Sequence, residues 1–367
     1  MTDVTFGGVA VAVGAQTGFG SPNTSVRDVV QGTGSGTAGA LNLEDGIVLG
    51  DAESGDAESG IVIPSIVGIH RAVSPVAASF TESADAFQRA EVNGFAISWV
   101  HQGNGDTPAP AVGDADLSVI IPGLEAILES AGLVGVVGSA GVEQDYTPRH
   151  SGSAAPGSTV YSTWKIWHGT LAFVFTDCLV ESLEFAFTPG GNCIVTANIL
   201  VGTFNHVTTV GGFTFPTLEY DVMASLAGPI VEGVGFDLYG QVRGFENLTI
   251  TIANEIDKFG DSNVDVTGQR QSQLKRIISL SGTFYVESDS DDVTFLNLRS
   301  ATAPTVGCFF QVGTPGATPI NAFKVEAHNL QAKDIKYNRI GSVLAVEIND
   351  AKATATVPGG EFQLTMN

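Results

Sequence analysis

The sequence predicts a mainly β chain in two similar halves, and three observations predict it. From Ile61 onward apolar and polar residues alternate through most segments, the period-2 signature of half-buried strands. Charged residues are scarce, at 15%, where an average globular domain has about 25%. Val, Thr, Ser and 45 glycines fill the remainder, a composition of strands, turns and uncharged polar surface. The same order of strand, short helix, strand and final hairpin then occurs twice. A chain of 367 residues that is 43% hydrophobic has ample material for a core and the length of two ordinary domains.

Residues 1–60 read as an N-terminal arm with an acidic loop. Val9 to Val13 makes a short strand, GFGSPNTS is turn chemistry, and the duplicated DAESGDAESG at 51–60 is a solvated loop. Large apolar residues are too few here to build a separate core. The first half, 61–205, opens with Phe95, Ile97 and Trp99 on one strand face. A helix follows, with Pro122 in its first turn, Leu124, Ile127, Leu128 and Ala131 on one side, and Gly132 as its C-terminal cap. Tyr161, Thr163 and Lys165 alternate with Ser162, Trp164 and Ile166, and Leu171, Phe173 and Phe175 share a face. A hairpin then places Leu183, Phe185 and Phe187 inward and Ser182, Glu184 and Ala186 outward. It turns at Pro189-Gly190-Gly191 and returns over Ile194 to Val201.

The second half, 213–367, repeats this pattern. Leu248, Ile250 and Ile252 alternate with threonines, and Ile278, Leu280, Phe284 and Val286 mark another strand. A short helix is expected over Asp291 to Arg299, then strands over Phe323 to Ala332 and Val343 to Ile348. Asn93 to Trp99 corresponds to Ser281 to Val286, and the hairpin at 180–201 to 326–350. Residue identity between the halves is slight, so convergence of two β-domains stands as the alternative to duplication.

Sixteen Lys plus Arg face 39 Asp plus Glu, a formal net charge of −23; before Lys165 there is no lysine, and four arginines meet 18 acids. Such a surface repels phosphate backbones, which nucleic-acid binders neutralise with clustered Lys and Arg; solubility or a salt-adapted source is the plainer reading. Cys178, Cys193 and Cys308 have no metal-ligand spacing, and Cys178 and Cys193 read as buried thiols. His70, His101, His150, His168, His206 and His328 are scattered. No GxSxG elbow, phosphate-binding loop or EF-hand occurs. No catalytic residue, cofactor or metal is therefore expected. The opening MTDVTFGGVAVAVG lacks a basic n-region, and no apolar run reaches the ~20 residues that span a bilayer. A soluble product of the cytoplasm, without membrane insertion, is expected.

Five segments carry a resemblance when taken in order: VAVGAQTGFGSPN (11–23), FTESADAF (80–87), IIPGLEAILESAGL (120–133), TDCLVESLEFAFTPGGNCIVTANILVG (176–202) and GFENLTITIANEID (244–257). They resemble the major tail tube protein of long-tailed, siphophage-type bacteriophages. The loop at 45–60 and the scarcity of lysine depart from that pattern. The resemblance implies two tandem tube-type domains, each a β-sandwich or half-barrel with one flanking helix, whose sheets join between subunits into a β-barrel. It implies stacked rings forming a conduit through which DNA passes without specific binding. With two domains per chain, trimeric pseudo-hexameric rings are favoured and hexameric rings are the alternative. Tail terminator, tip and tape measure proteins are the implied partners, and the virion tail, assembled in the host cytoplasm, the implied location. Candidate lumen-facing residues are Ser182, Glu184, Ala186, Thr196, Asn198, Thr249, Thr251 and Glu347, around a bore of net negative potential. Other readings are a capsid or decoration protein and, less in keeping with the start of the chain, a secreted β-sandwich binding module.

Overall fold

The computed structural model describes residues 9–16, 18–21, 48–51, 66–71, 85–90, 94–100, 122–137, 144–150, 159–168, 171–191, 193–207, 236–238, 241–242, 244–259, 270–287, 308–312 and 323–366. Its elements in chain order begin with strands β1 (Val9–Ala15), β2 (Val48–Asp51), β3 (Ile66–Arg71), β4 (Asp85–Ala90) and β5 (Gly94–Val100). Helix α1 (Pro122–Ser130) follows, then β6 (Leu133–Val137), β7 (Gln144–Pro148), β8 (Ser162–His168), β9 (Leu171–Phe187), β10 (Ile194–Leu200) and β11 (Thr203–Val207). The remainder is β12 (Phe236–Leu238), β13 (Gln241–Val242), β14 (Phe245–Phe259), β15 (Arg270–Tyr285), β16 (Cys308–Val312), β17 (Phe323–Ala327), β18 (Asp334–Ile340), β19 (Val343–Lys352) and β20 (Phe362–Met366). The protein is thus mainly β, and its sheets are antiparallel.

One large sheet runs in the order β18-β19-β15-β14-β9-β10-β5-β2, with β1, β8 and β11 attached through β9. A second runs β13-β12-β16-β17-β20-β7-β6, and β3 pairs with β4. Alternation decides which side of each strand is buried. Leu183, Phe185 and Phe187 on β9, Val195, Ala197 and Ile199 on β10, and Leu248, Ile250 and Ile252 on β14 are all buried in one core with Phe323, Val325, Phe362 and Leu364 of the second sheet. Phe95 lies edge-on to Trp164 with ring centroids 5.2 Å apart, and 5.2 Å from Phe175. Such contacts add roughly 0.5–1.5 kcal/mol each to the burial of the rings.

Helix α1 buries Ala126, Ile127 and Leu128 with the following Ala131, and Gly132 closes it in the left-handed region at φ 82°, where a side chain would be strained. The two carbonyls that follow the helix are satisfied by residues far along the chain. Asn254 Nδ2 donates to Ala131 O at 3.0 Å and to Val180 O at 2.9 Å. Arg276 donates to Gly132 O and, at 2.9 Å, to Arg149 O.

Strand pairings recur in the order of the chain. From β1 to β11 the pairs are β1–β8, β8–β9, β9–β11, β9–β10, β10–β5 and β5–β2. From β12 to β20 they are β12–β16, β16–β17, β17–β20, β18–β19, β19–β15 and β15–β14. These pairs correspond one to one, with β9 standing for both β17 and β18; β3–β4, β6–β7 and α1 on one side and β12–β13 on the other have no counterpart among the described residues. The two sets meet twice, where β14 pairs with β9 and β20 pairs with β7, so pairing crosses from 61–205 to 213–367 in both sheets.

Several expectations are revised. β1 is a strand of the fold, with Val13 buried and α1 packed against it, and β2 adds to β5; these parts of 1–60 are not an arm. The final hairpin is β18–β19. Phe323 to Ala332 is not one strand: it leaves β17 through Asn329, at φ 49°, and β17 belongs to the other sheet. The expected helix at 291–299 and residues 52–60 of the acidic duplication lie outside the described residues.

Gly94 tests the β5–β10 register. A Cβ there would lie 2.2 Å from Ile199 O, a backbone atom that cannot move away without breaking the pairing. Gly94→Ala should lower stability by roughly 1–3 kcal/mol, read as a lower urea midpoint. Gly18→Ala, with nothing within 4 Å, should leave the midpoint unchanged or slightly higher.

Candidate functional site

The eight polar and small residues expected to share a surface are brought onto one face of the large sheet. Thr196, Glu184 and Thr251 stand opposite one another across β10, β9 and β14, and Thr251 faces Ser279 of β15. Asn198 and Ser182 form the next rung, with Asn198 Nδ2 donating to Ser182 Oγ at 2.7 Å. Ala186 faces Thr249, which faces Ser281. Glu347 stands between Thr283 of β15 and Lys336 of β18 and accepts a 2.9 Å hydrogen bond from Asn349 Nδ2. Opposed residues lie on the same side of a sheet and alternate residues return to it. All eight therefore share the face turned away from the core. Ser98 of β5 extends it, its Oγ 2.8 Å from Thr196 Oγ1.

The chemistry of this face is hydroxylic and small. Its carboxylates are interleaved with lysines: Glu255 faces Lys275, Glu347 faces Lys336, and Lys352 faces Ser279. Glu184 is exposed between two threonines. The strongly negative character expected of the whole chain is correspondingly muted on these strands. No arginine stands among the eight residues or directly opposite any of them, so bidentate grip on a phosphate, the strongest form of backbone recognition, has no donor at these positions.

Two buried polar groups hold this face in shape. Asp177 lies where β9 changes partners, from β8 and β11 before it to β10 and β14 after it. Its φ of 56° bends the strand, and it is only 3% exposed. Its Oδ1 accepts from Gln16 Nε2 at 2.9 Å and from Gly20 N at 2.7 Å, and its own N–H donates to Gln16 Oε1 at 2.7 Å. Beside it, Ser162 Oγ donates to Cys178 O at 3.2 Å and accepts from Trp164 Nε1 at 2.9 Å. The corner is built from the turn after β1 and from β8, β9 and β11, with Thr203 Oγ1 3.5 Å from Asp177 Oδ2.

The second group is the Arg149–Arg276 pair behind α1. Burial lowers the pKa of both guanidiniums; Glu129 opposes this at Arg149, and Glu361 opposes it at Arg276 while Arg149 adds to it. Both donate to main-chain carbonyls in the link from α1 into β6, Arg149 to Leu133 O at 3.4 Å and Arg276 to Gly132 O. Neither Asp177 nor the arginines stood out in the sequence. The one signal for Asp177 was a carboxylate interrupting an otherwise apolar alternation.

Cys178 and Cys193 are buried thiols outside any disulfide, and burial raises the Cys193 pKa well above its usual value; a buried thiol of this kind is a poor nucleophile. Among the described residues no group of three His, Cys, Asp or Glu is placed to hold a metal ion, and no helix is long and apolar enough to cross a membrane. The sequence matches no model of a known protein family and no curated protein.

Asp177→Ala should cost roughly 1–3 kcal/mol, because it leaves the buried Gln16 amide and the Gly20 N–H without their acceptor. Glu184→Gln, on the open face, should leave the urea midpoint where it is. Equal midpoints for the two variants would contradict the corner's role.

Proposed function

We propose that this protein is a structural, non-enzymatic subunit of a phage tail tube, stacked in rings around a channel for DNA. The observation that carries this reading is the head-to-tail order of the two strand sets within one sheet. In the set from β12 to β20 the order is β18-β19-β15-β14, and in the set from β1 to β11 it is β9-β10-β5-β2. Matching elements run in the same direction along the sheet, so the sets are related by a step rather than by a two-fold axis. Heterologous contacts repeated in this way close into a ring when the rotation per step divides a full turn. Closure also removes the exposed edges that make open sheets prone to association.

On this reading each set is one tube-type domain, and three chains supply the six domains of a pseudo-hexameric ring; a hexamer of whole chains is the alternative. The face carrying Ser182, Glu184, Ala186, Thr196, Asn198, Thr249, Thr251 and Glu347 lines the bore. Hydroxyls and interleaved charges make it wettable without a cationic track, which suits DNA that must slide and not bind. The resemblance of the five sequence segments to tail tube proteins points the same way. Tail terminator, tip and tape measure proteins would be its neighbours in the virion, with no cofactor and no membrane insertion.

Negative-stain images of the purified protein, alone or with a tip complex, should show rings or tubes with a central hole. Closed shells, or single chains at every concentration tried, would overturn the proposal.

A further inference from the structure

Behind α1, Arg276 leaves one of its donors unused. Its Nη1 donates to Gly132 O and its Nη2 to Arg149 O at 2.9 Å, while its Nε is buried and has no hydrogen-bond partner. An N–H shut away from water without an acceptor is destabilising, the more so in a charged group. Such a donor in a native fold marks the place of a bound water or ion. Neither of the bonds that Arg276 does make neutralises it, because both acceptors are main-chain carbonyls. A second guanidinium stands beside it. Arg149 reaches Leu133 O at 3.4 Å and lies 3.9 Å from Glu129 Oε1, with 9% of its side chain exposed. Burial lowers the Arg276 pKa, Glu361 opposes this, and the charge of Arg149 adds to the lowering.

A water molecule would satisfy the Nε–H and leave the repulsion between the two cations in place. A small anion does both: it accepts the N–H and screens the like charges from one another. We infer that a monatomic anion of the size of chloride binds at Arg276 Nε, between the Arg276 and Arg149 guanidiniums. Its size follows from the enclosure of that nitrogen, which a phosphate or carboxylate carried on a larger molecule cannot approach. The position joins several parts of the fold. Arg276 lies on β15, Arg149 follows β7, Gly132 and Leu133 lead from α1 into β6, and Glu361 precedes β20. β15 belongs to the large sheet, and β6, β7 and β20 belong to the second. The ion thus fastens one sheet to the other. Because only the folded chain brings these groups together, stability rises with chloride until the site is saturated. This site does not depend on the proposed ring.

The test replaces gluconate by chloride at constant sodium concentration and reads the urea midpoint of the full chain. The midpoint should rise and then level off, as filling of a single site requires, whereas a general salt effect drifts without saturating. Arg276→Gln should abolish the chloride-dependent part of the rise. Glu361→Gln removes the carboxylate that competes for Arg276. It should lower the half-saturating chloride concentration by roughly two- to fivefold, a tightening that loss of a merely structural contact would not produce. Crystals grown with bromide in place of chloride give a readout that needs no variant: an anomalous peak within hydrogen-bond distance of Arg276 Nε. A parent midpoint that does not respond or does not level off overturns the inference. So does a response that survives in folded Arg276→Gln, or a bromide map with no peak at Arg276 Nε. If Arg276→Gln does not fold, the Glu361→Gln titration and the bromide map decide.

Discussion

Leu248 to Ala253 of β14 lie against Ser182 to Phe187 of β9, and this short pairing is what the rest of the architecture depends on. An unpaired strand presents a row of unsatisfied N–H and C=O groups, and each edge must be covered, charged or closed. Here one joint removes two edges at once. It also aligns Leu248, Ile250 and Ile252 with Phe187, Phe185 and Leu183, none more than 1% exposed, so that two strand sets share a single core. Asn254 fastens the joint from behind, bridging the end of α1 to Val180 O, and Arg276 binds the same helix end.

The bend at Asp177 is the second requirement. A 17-residue strand that ran straight would keep one set of partners. Turning at a left-handed residue lets β9 pair with β8 and β11 before the corner and with β10 and β14 after it. A carboxylate in that position costs desolvation, which the Gln16 amide and Gly20 N–H offset. The cluster ties the segment after β1 to the large sheet, which is why residues near the start of the chain belong to the fold.

Much of the core was legible in the sequence because a half-buried strand writes its burial as alternation. Phe95 and Ile97, Leu183 to Phe187, Leu248 to Ile252 and Leu280 to Phe284 all bury the side their spacing indicates. Helix α1 was legible from Pro122 and Gly132. The candidate face followed as the complement of the buried one. β18 was not legible, because an edge strand need not alternate: in Asp-Ile-Lys-Tyr-Asn-Arg-Ile only Ile335 packs against the core. Phe323 to Ala332 misled for the opposite reason, since apolar alternation runs past the bend at Asn329. β1 was underrated because it is short, and its place depends on partners more than 100 residues away. Register, strand order and the corner at Asp177 are tertiary facts with no local signature.

The central claim is that one chain carries two like strand sets in head-to-tail order and that assembly repeats the step between them. The most direct measurement is the symmetry of assembled particles, from images reconstructed without imposed symmetry. Three-fold order with two unlike lobes per chain is the predicted result. Strict six-fold order, with one whole chain in each sixth of the ring, would contradict it.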